Sequence, residues 1–476
     1  MTRLRYQVLT TGVGVFGSSL VGMAASIVIA RWLGVQGFGV YGFALSYVTL
    51  WSVVMDGGCL MLATRQAAQR RDPTVIRAMF TLKPVLVGLT AAGIALGIGL
   101  AGFDRATHVP IALIAAGMAV ASYLKLGLAV FRGHQQFAVE SGCLVAQRVV
   151  FALLAVAALA VSAGVDGVSA AWALSWAFVA LPALTLLWRR HGIRVGPDIG
   201  TVREHRQALL RAAVPLLIAD ALTQAHARNA PVLLEIVSGA TEVGTYVAAR
   251  RLVEGLHLIP VAVGIALFPR LATVGQSAND DARVALRLMG VFSAAVCLGG
   301  WLWADEGIRL LFGVGYAPAV GPLKVMLGTL AIMTVNSVLS LMLVARGGER
   351  AYAVVLGVAT VTNLAVALPL VRDFGALATA WATVVSEGAL FGGCLWALGS
   401  PSARAVLPLR EWGQLWATTA AALAGLWLVK SFSPLVALGL TGAVIVGGIE
   451  LLSPVPLRDL FRRGLRNAGA ARIEDH

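Results

Sequence analysis

The chain has 476 residues, of which 58% are hydrophobic and 13% charged, against about 25% charged in a soluble domain. That balance excludes a water-soluble globular enzyme and points to a protein whose solvent is lipid. The formal net charge of +14 would suit nucleic acid if it sat on a soluble module, but the basic residues fall in short connections between apolar runs, where membrane proteins keep them.

A spanning helix needs roughly 20 mostly apolar residues. Such runs are predicted over 9–30, 41–63, 80–102, 110–131, 142–163, 168–188, 208–229, 246–268, 286–304, 319–345, 351–371, 374–398, 413–430 and 434–452. They are continuous and lack the two-residue alternation of barrel strands, so the fold class is an all-α integral membrane protein with about 14 spans. The short basic start, Met1 to Arg5, reads as the flank of an uncleaved first span. In the second span Asp56 precedes Gly57 and Gly58, a pair that favours close helix packing, with a hinge or gate as the functional alternative. Cys59, Cys143, Cys297 and Cys394 fall inside spans at spacings that suit neither a metal site nor an exposed disulfide, and read as small core residues.

The longest connection, about 189–207, mixes Gly192, Gly196, Pro197 and Gly200 with Arg189, Arg190, Arg194, Arg203 and Arg206. It divides the chain into an N-lobe (1–190), a cytoplasmic linker (191–207), a C-lobe (208–400) and a final pair of spans with a basic tail (401–476). The last pair serves stabilisation or targeting, or forms a lipid-facing groove. A short repeat supports two lobes: Leu33-Gly34-Val35-Gln36-Gly37-Phe38-Gly39-Val40-Tyr41 and Val237-Ser238-Gly239-Ala240-Thr241-Glu242-Val243-Gly244-Thr245-Tyr246 both place Gly-x-Tyr at the start of a span, 205 residues apart. Parallel repeats of this kind are typical of transporters that alternate access between lobes. With the N-terminus in the cytoplasm, roughly 25 of the 37 lysines and arginines fall on the cytoplasmic side, the bias expected of a multi-pass inner-membrane protein with both termini inside.

Ionisable residues within spans cost several kcal/mol in lipid, about 2.5–3.5 on insertion scales, and therefore face a cavity or a partner. Arg250 and Arg251 lie one turn into the eighth span. Adjacent helical positions differ by about 100°, so both cannot point squarely into one cavity, and Glu254 is spaced to pair with Arg250. Arg148 and Lys125 lie at a second depth, and Lys324 is a further cation. Lys83, near a cytoplasmic end, is expected to snorkel. Guanidinium forks bind phosphate oxygens bidentately, so Arg250, Arg251, Arg148, Lys125 and Lys324 suit an anionic headgroup. Asp220, mid-span, with Asn363 and Thr383 forms a candidate small-cation site for Na+ or H+ coupling; Asp220 alone could instead carry a proton or cap a polar neighbour. No Gly-x-x-x-x-Gly-Lys-Ser/Thr sequence is present, which argues against ATP hydrolysis by this chain.

The stretches Ile29-Ala30-Arg31-Trp32-Leu33-Gly34 with Phe38-Gly39-Val40-Tyr41-Gly42, Asp56-Gly57-Gly58 with Arg65, Val243-Gly244-Thr245-Tyr246 with Ala248-Ala249-Arg250, Ala266-Leu267-Phe268-Pro269-Arg270-Leu271, and Asn363 with Gly375 to Thr383 together resemble the polysaccharide exporters of the multidrug, oligosaccharidyl-lipid and polysaccharide (MOP) exporter superfamily. The resemblance departs from the family pattern in the Gly375 run and at Gly57, where a leucine is commoner. It implies two six-helix lobes in a V around a central cavity, two C-terminal helices, and a flippase for polyprenyl-diphosphate-linked glycans such as O-antigen, capsule or exopolysaccharide repeat units. It implies membrane lipids and polysaccharide polymerase or other export proteins as partners, a monomer, no nucleic acid and no cofactor beyond a coupling ion. Ala367 stands where a sodium-site relative carries a second carboxylate, which weakens the case for sodium. Rival readings are a multidrug or organic-cation antiporter on the same fold and, less well supported, a membrane glycosyltransferase or polymerase, for which the isolated Asp104 and Asp166 and the Asp305-Glu306 pair are a thin acidic complement.

Overall fold

The computed structural model describes the backbone of residues 2–69, 73–193, 199–271, 276–399, 407, 409–434, 436–437 and 439–441. Every described element is a helix, as lipid requires of a chain without a closed barrel. In chain order they are α1 (Thr2–Asp56), α2 (Cys59–Ala68), α3 (Pro73–Ala101), α4 (Arg105–Gly133), α5 (Phe137–Ala160), α6 (Gly164–His191), α7 (Ile199–Ser238), α8 (Ala240–Leu271), α9 (Gln276–Leu302), α10 (Ala304–Leu311), a 3-10 turn (Val314–Ala319), α11 (Val320–Ala345), α12 (Glu349–Leu398) and α13 (Leu409–Phe432). Two of these are pairs of spans joined at a single glycine, α1 at Gly34 (φ 67°, ψ 178°) and α12 at Gly375 (φ 49°, ψ −126°). Both glycines hold positive φ, which a residue with a Cβ enters only at a cost.

Among the described residues, eight helices are long and apolar enough to cross a membrane, counting each joined pair once. The chain is therefore a multi-pass membrane protein. Trp32, Trp188, Trp396 and Trp427 are exposed near span ends, where amphipathic rings settle at a membrane–water boundary. Helices α7 and α8 run for 40 and 32 residues. Arg250, Arg251 and Glu254 put three charges in five residues of α8, and α7 carries Asp220, His226 and Arg228. The linker expected at 191–207 is helical from Ile199 onward, which corrects its extent. Its basic residues are good helix formers, so α7 begins inside the charged stretch. Residues 194–198, and the predicted last span beyond residue 441, lie outside the described residues.

The helices gather into two compact units: Met1–Gly255 with Leu311–Pro322 and Thr360–Ala382, and Leu256–Leu310 with Leu323–Ala359 and Thr383–His476. Helices α8 and α12 each contribute to both units.

In the first unit, the two copies of the 205-residue repeat pack on each other. Gly34 and Gly239 hold equivalent turn positions, both at positive φ (67° and 83°). A Cβ on Gly39 would strike the Ala240 carbonyl, and a Cβ on Gly244 would strike the Val35 carbonyl. Position 240 is position 35 shifted by the repeat, and 244 is 39 shifted likewise. The contact is therefore reciprocal, as across a two-fold axis. Gly42 faces Val247, its own repeat equivalent, with 3.0 Å left for a Cβ. Glu242 accepts a hydrogen bond from the Ala376 amide at 2.7 Å, holding the start of the second half of α12 to the start of α8. Asp56 ends α1. Gly57 and Gly58 follow with φ 58° and 69°, and a Cβ on Gly58 would meet the α7 backbone at Ala213. The pair is thus a helix break at a close approach.

In the second unit, α13 packs along α9 through Leu298, Leu302 and Leu426. Lys430 joins them by donating to the Leu302 carbonyl, pairing with Glu306 at 2.6 Å and lying over the Trp303 ring. Buried Asn336 donates to the Glu387 carboxylate at 2.7 Å.

Candidate functional site: an arginine cradle in the first unit

Helices α7 and α8 bring three arginines to one carboxylate, with Arg148 of α5 within electrostatic reach. Arg250 donates from Nε to Glu254 Oε1 at 2.8 Å, and Arg251 donates from a terminal nitrogen to Glu254 Oε2 at 3.2 Å. The helical spacings i,i+4 and i,i+3 make both contacts possible, so two adjacent arginines that point apart still converge on the same acid from its two sides. Arg228 of α7 approaches Glu254 Oε1 at 4.0 Å. Arg148 of α5 lies along α1, its side chain 3.6 Å from where a Cβ on Gly22 would sit. The next residue, Met23, packs against Gly255 beside Glu254. Arg148 is accordingly within electrostatic reach of Arg251 and Glu254. It is exposed at the surface of the chain and makes no ion pair among the described residues.

The repeat tyrosines frame this cluster. Arg250 donates to the Tyr246 hydroxyl at 3.1 Å, and Tyr41, the equivalent of Tyr246, lies within reach of Arg251 and Arg148. Four guanidinium groups against one carboxylate leave a surplus of three positive charges, with side chains of Arg228, Arg250, Arg251 and Glu254 about one quarter to one third exposed. Arg228 Nε and Arg251 Nε are buried without an acceptor. Each guanidinium carries five donors, so the cradle holds more donors than Glu254 alone can engage. Arg228 escaped the sequence reading. The signal for it was present, a charge near the end of the seventh span, but its partner lies 26 positions away on the next helix.

A second cluster sits at the end of α1. Lys83 is fully buried and bonds Asp56 Oδ1 at 3.3 Å and the Met55 carbonyl at 3.1 Å. It also donates to Ser122 Oγ, which in turn donates to Asp56 Oδ1 at 2.6 Å. Lys83 therefore does not snorkel; it is an interior cation because Asp56, Met55 and Ser122 from two other helices supply its acceptors. Lys125 pairs with Asp56 Oδ2 at 3.7 Å, so it belongs to this network rather than to the arginine cradle. Asp220 contacts Gln224 and lies within electrostatic reach of Asp56 and Lys125.

The other expected site residues are dispersed. Asn363 accepts from Asn229 at 3.1 Å, and Asn229 lies nine residues beyond Asp220 on α7, about 13 Å along the axis. Asp220 and Asn363 thus do not share one ion shell, and Thr383 belongs to the second unit. No group of three or more His, Cys, Asp or Glu side chains suited to a metal ion occurs among the described residues. Lys324 also belongs to the second unit, over the Trp301 ring at 4.5 Å.

Among solved structures, the fold is similar to that of a lipid II flippase MurJ in an inward closed conformation, with a TM-score of 0.79 and 12% identity over 95% of this chain and 100% of that one. It is also similar to an inward-facing multidrug resistance MATE family transporter of the MOP superfamily, with a TM-score of 0.63 and 16% identity over 80% of this chain and 93% of that one. These likenesses show a fold shared with transporters of the MOP superfamily. A family model for polysaccharide biosynthesis proteins matches residues 5–274, more than half of the chain, and the chain belongs to that family. A probable lipid II flippase MurJ of Rhizobium tropici is 31% identical over 164 residues, 32% of this chain. The chain spans about 30% of that relative's length.

Proposed function

We propose that this chain flips a polyprenyl-diphosphate-linked oligosaccharide, such as an O-antigen, capsule or exopolysaccharide repeat unit, from the cytoplasmic to the outer leaflet of a bacterial plasma membrane. The observation that carries the reading is the cradle of Arg148, Arg228, Arg250 and Arg251 around Glu254, whose surplus charge and free donors match a diphosphate of about two negative charges. Movement follows alternating access between an N-lobe and a C-lobe, with both termini in the cytoplasm. The chain works as a monomer beside a polysaccharide polymerase and other export proteins. Similarity to relatives named for lipid II flipping supports a lipid-linked substrate. The antiport of organic cations is disfavoured, since such cargo would meet the arginine surplus instead of unpaired carboxylates or aromatic cages.

Coupling to a proton or sodium gradient is assigned to Asp220, which faces the Asp56 and Lys125 network. Comparing Asp220→Asn with wild type, with and without a sodium gradient, tests that assignment. For the main reading, a deletion strain should accumulate lipid-linked sugar on the cytoplasmic face and lose surface polysaccharide. Arg250→Ala or Arg251→Ala should fail to restore it while the protein is still expressed. Normal surface polysaccharide with both singles and the double variant would remove these arginines from the transport path.

A further inference from the structure

We propose that Glu254 is an exchangeable counter-ion: its carboxylate occupies the guanidinium forks of the empty cradle, the diphosphate displaces it on entry, and its return helps expel the headgroup. This rests on the reading of the cradle as a diphosphate site and adds how the site releases what it binds.

The argument starts from the use of a single acid. Both Glu254 oxygens are engaged, Oε1 by Arg250 with Arg228 beyond it and Oε2 by Arg251. Among the described residues no other carboxylate lies within ion-pair distance of these three arginines. Without Glu254, four like charges would be gathered with no counter-charge among them. With it, the empty cradle holds together. A diphosphate needs the same donors, and a carboxylate left among them would repel it, since like charges brought together at a binding surface cost several kcal/mol. Glu254 is tethered on α8 one turn from Arg250 and Arg251, so it can rotate off the forks without leaving the neighbourhood. Exchange of one internal anion for another lowers net affinity and keeps the headgroup releasable, which a transporter requires and a storage site does not.

The test measures farnesyl diphosphate binding to the full-length protein in detergent by calorimetry, and flipping of a polyprenyl-diphosphate-linked sugar in proteoliposomes. Glu254→Gln should bind farnesyl diphosphate about tenfold more tightly, because the competing charge is gone, yet turn over more slowly, so that KM and kcat both fall. A purely structural Glu254 predicts the opposite, weaker binding by a disordered cradle. If wild type binds and Arg250→Gln weakens binding, but Glu254→Gln binds equally or less tightly, the counter-ion exchange is refuted and the diphosphate reading survives. If wild type binds no farnesyl diphosphate, both fall. Should the Gln variant fail to fold, Glu254→Asp carries the test: its shorter reach loosens the internal pairing, so tighter binding supports exchange and weaker binding overturns it.

Discussion

Lys83 illustrates how one residue's environment decides its role. Its long stem and its place near a span end make snorkelling the natural expectation, yet it is buried against Asp56 and Ser122. Removing one member of a buried ion pair leaves the other charge uncompensated, at a cost of about 3–5 kcal/mol. Lys83→Met should therefore lower the melting temperature in detergent sharply, and Asp56→Leu with Lys83→Met should recover most of the loss; equal loss in single and double variants would show that the pair does not act as a unit. Arg228 gives the complementary case in the cradle. Arg228→Lys keeps the charge and loses the planar fork, so diphosphate binding should weaken several-fold without loss of folding, as measured by calorimetry beside a melting curve. The sequence made Arg250, Arg251 and Glu254 legible because their spacing on one helix is local. It could not reveal that Lys83 meets Asp56, that Arg228 meets Glu254, or that Lys125 is drawn to Asp56 instead of the cradle, since each pairing depends on how separate helices pack.

Among the elements, the repeat is the informative feature. The Gly-x-Tyr match at an interval of 205 residues marks two spans that begin alike, and the structure adds that they begin against each other. Gly39 and Gly244 sit where a methyl group would enter a facing carbonyl. Overpacking of this kind costs about 1–3 kcal/mol, so Gly39→Ala and Gly244→Ala should each reduce thermal stability and surface-polysaccharide rescue. Gly88 and Gly99 have open space around them, and alanine there should be neutral or slightly stabilising, because helix-interior glycine is unfavourable by about 0.5–1 kcal/mol. Equal effects at all four sites would show that the reciprocal contact carries no special weight. Gly375 combines positive φ with the Glu242 carboxylate at its open side, which explains why two spans join there with no intervening loop. The glycines themselves were readable as turns. Their partners were not, because a glycine states that something approaches closely without saying what.

Over the whole molecule, apolarity locates the membrane-spanning helices and the charges within them locate the candidate site. Helices α7 and α8 carry charges inside their runs and provide Arg228, Arg250, Arg251 and Glu254. Four arginines in a membrane-spanning bundle would be untenable against acyl chains, so under the proposed function their concentration around one acid marks the path of an anionic headgroup. The account's central claim is met most directly by reconstituting the protein in liposomes with a fluorescent polyprenyl-diphosphate-linked sugar and following its transfer between leaflets. Wild type should flip the lipid, and the triple variant Arg228→Gln, Arg250→Gln, Arg251→Gln should flip it at least about tenfold more slowly, as expected when charge-assisted contacts to phosphate are lost. Equal rates for the two proteins, with both correctly folded, would contradict the claim that this cradle carries the phosphorylated headgroup.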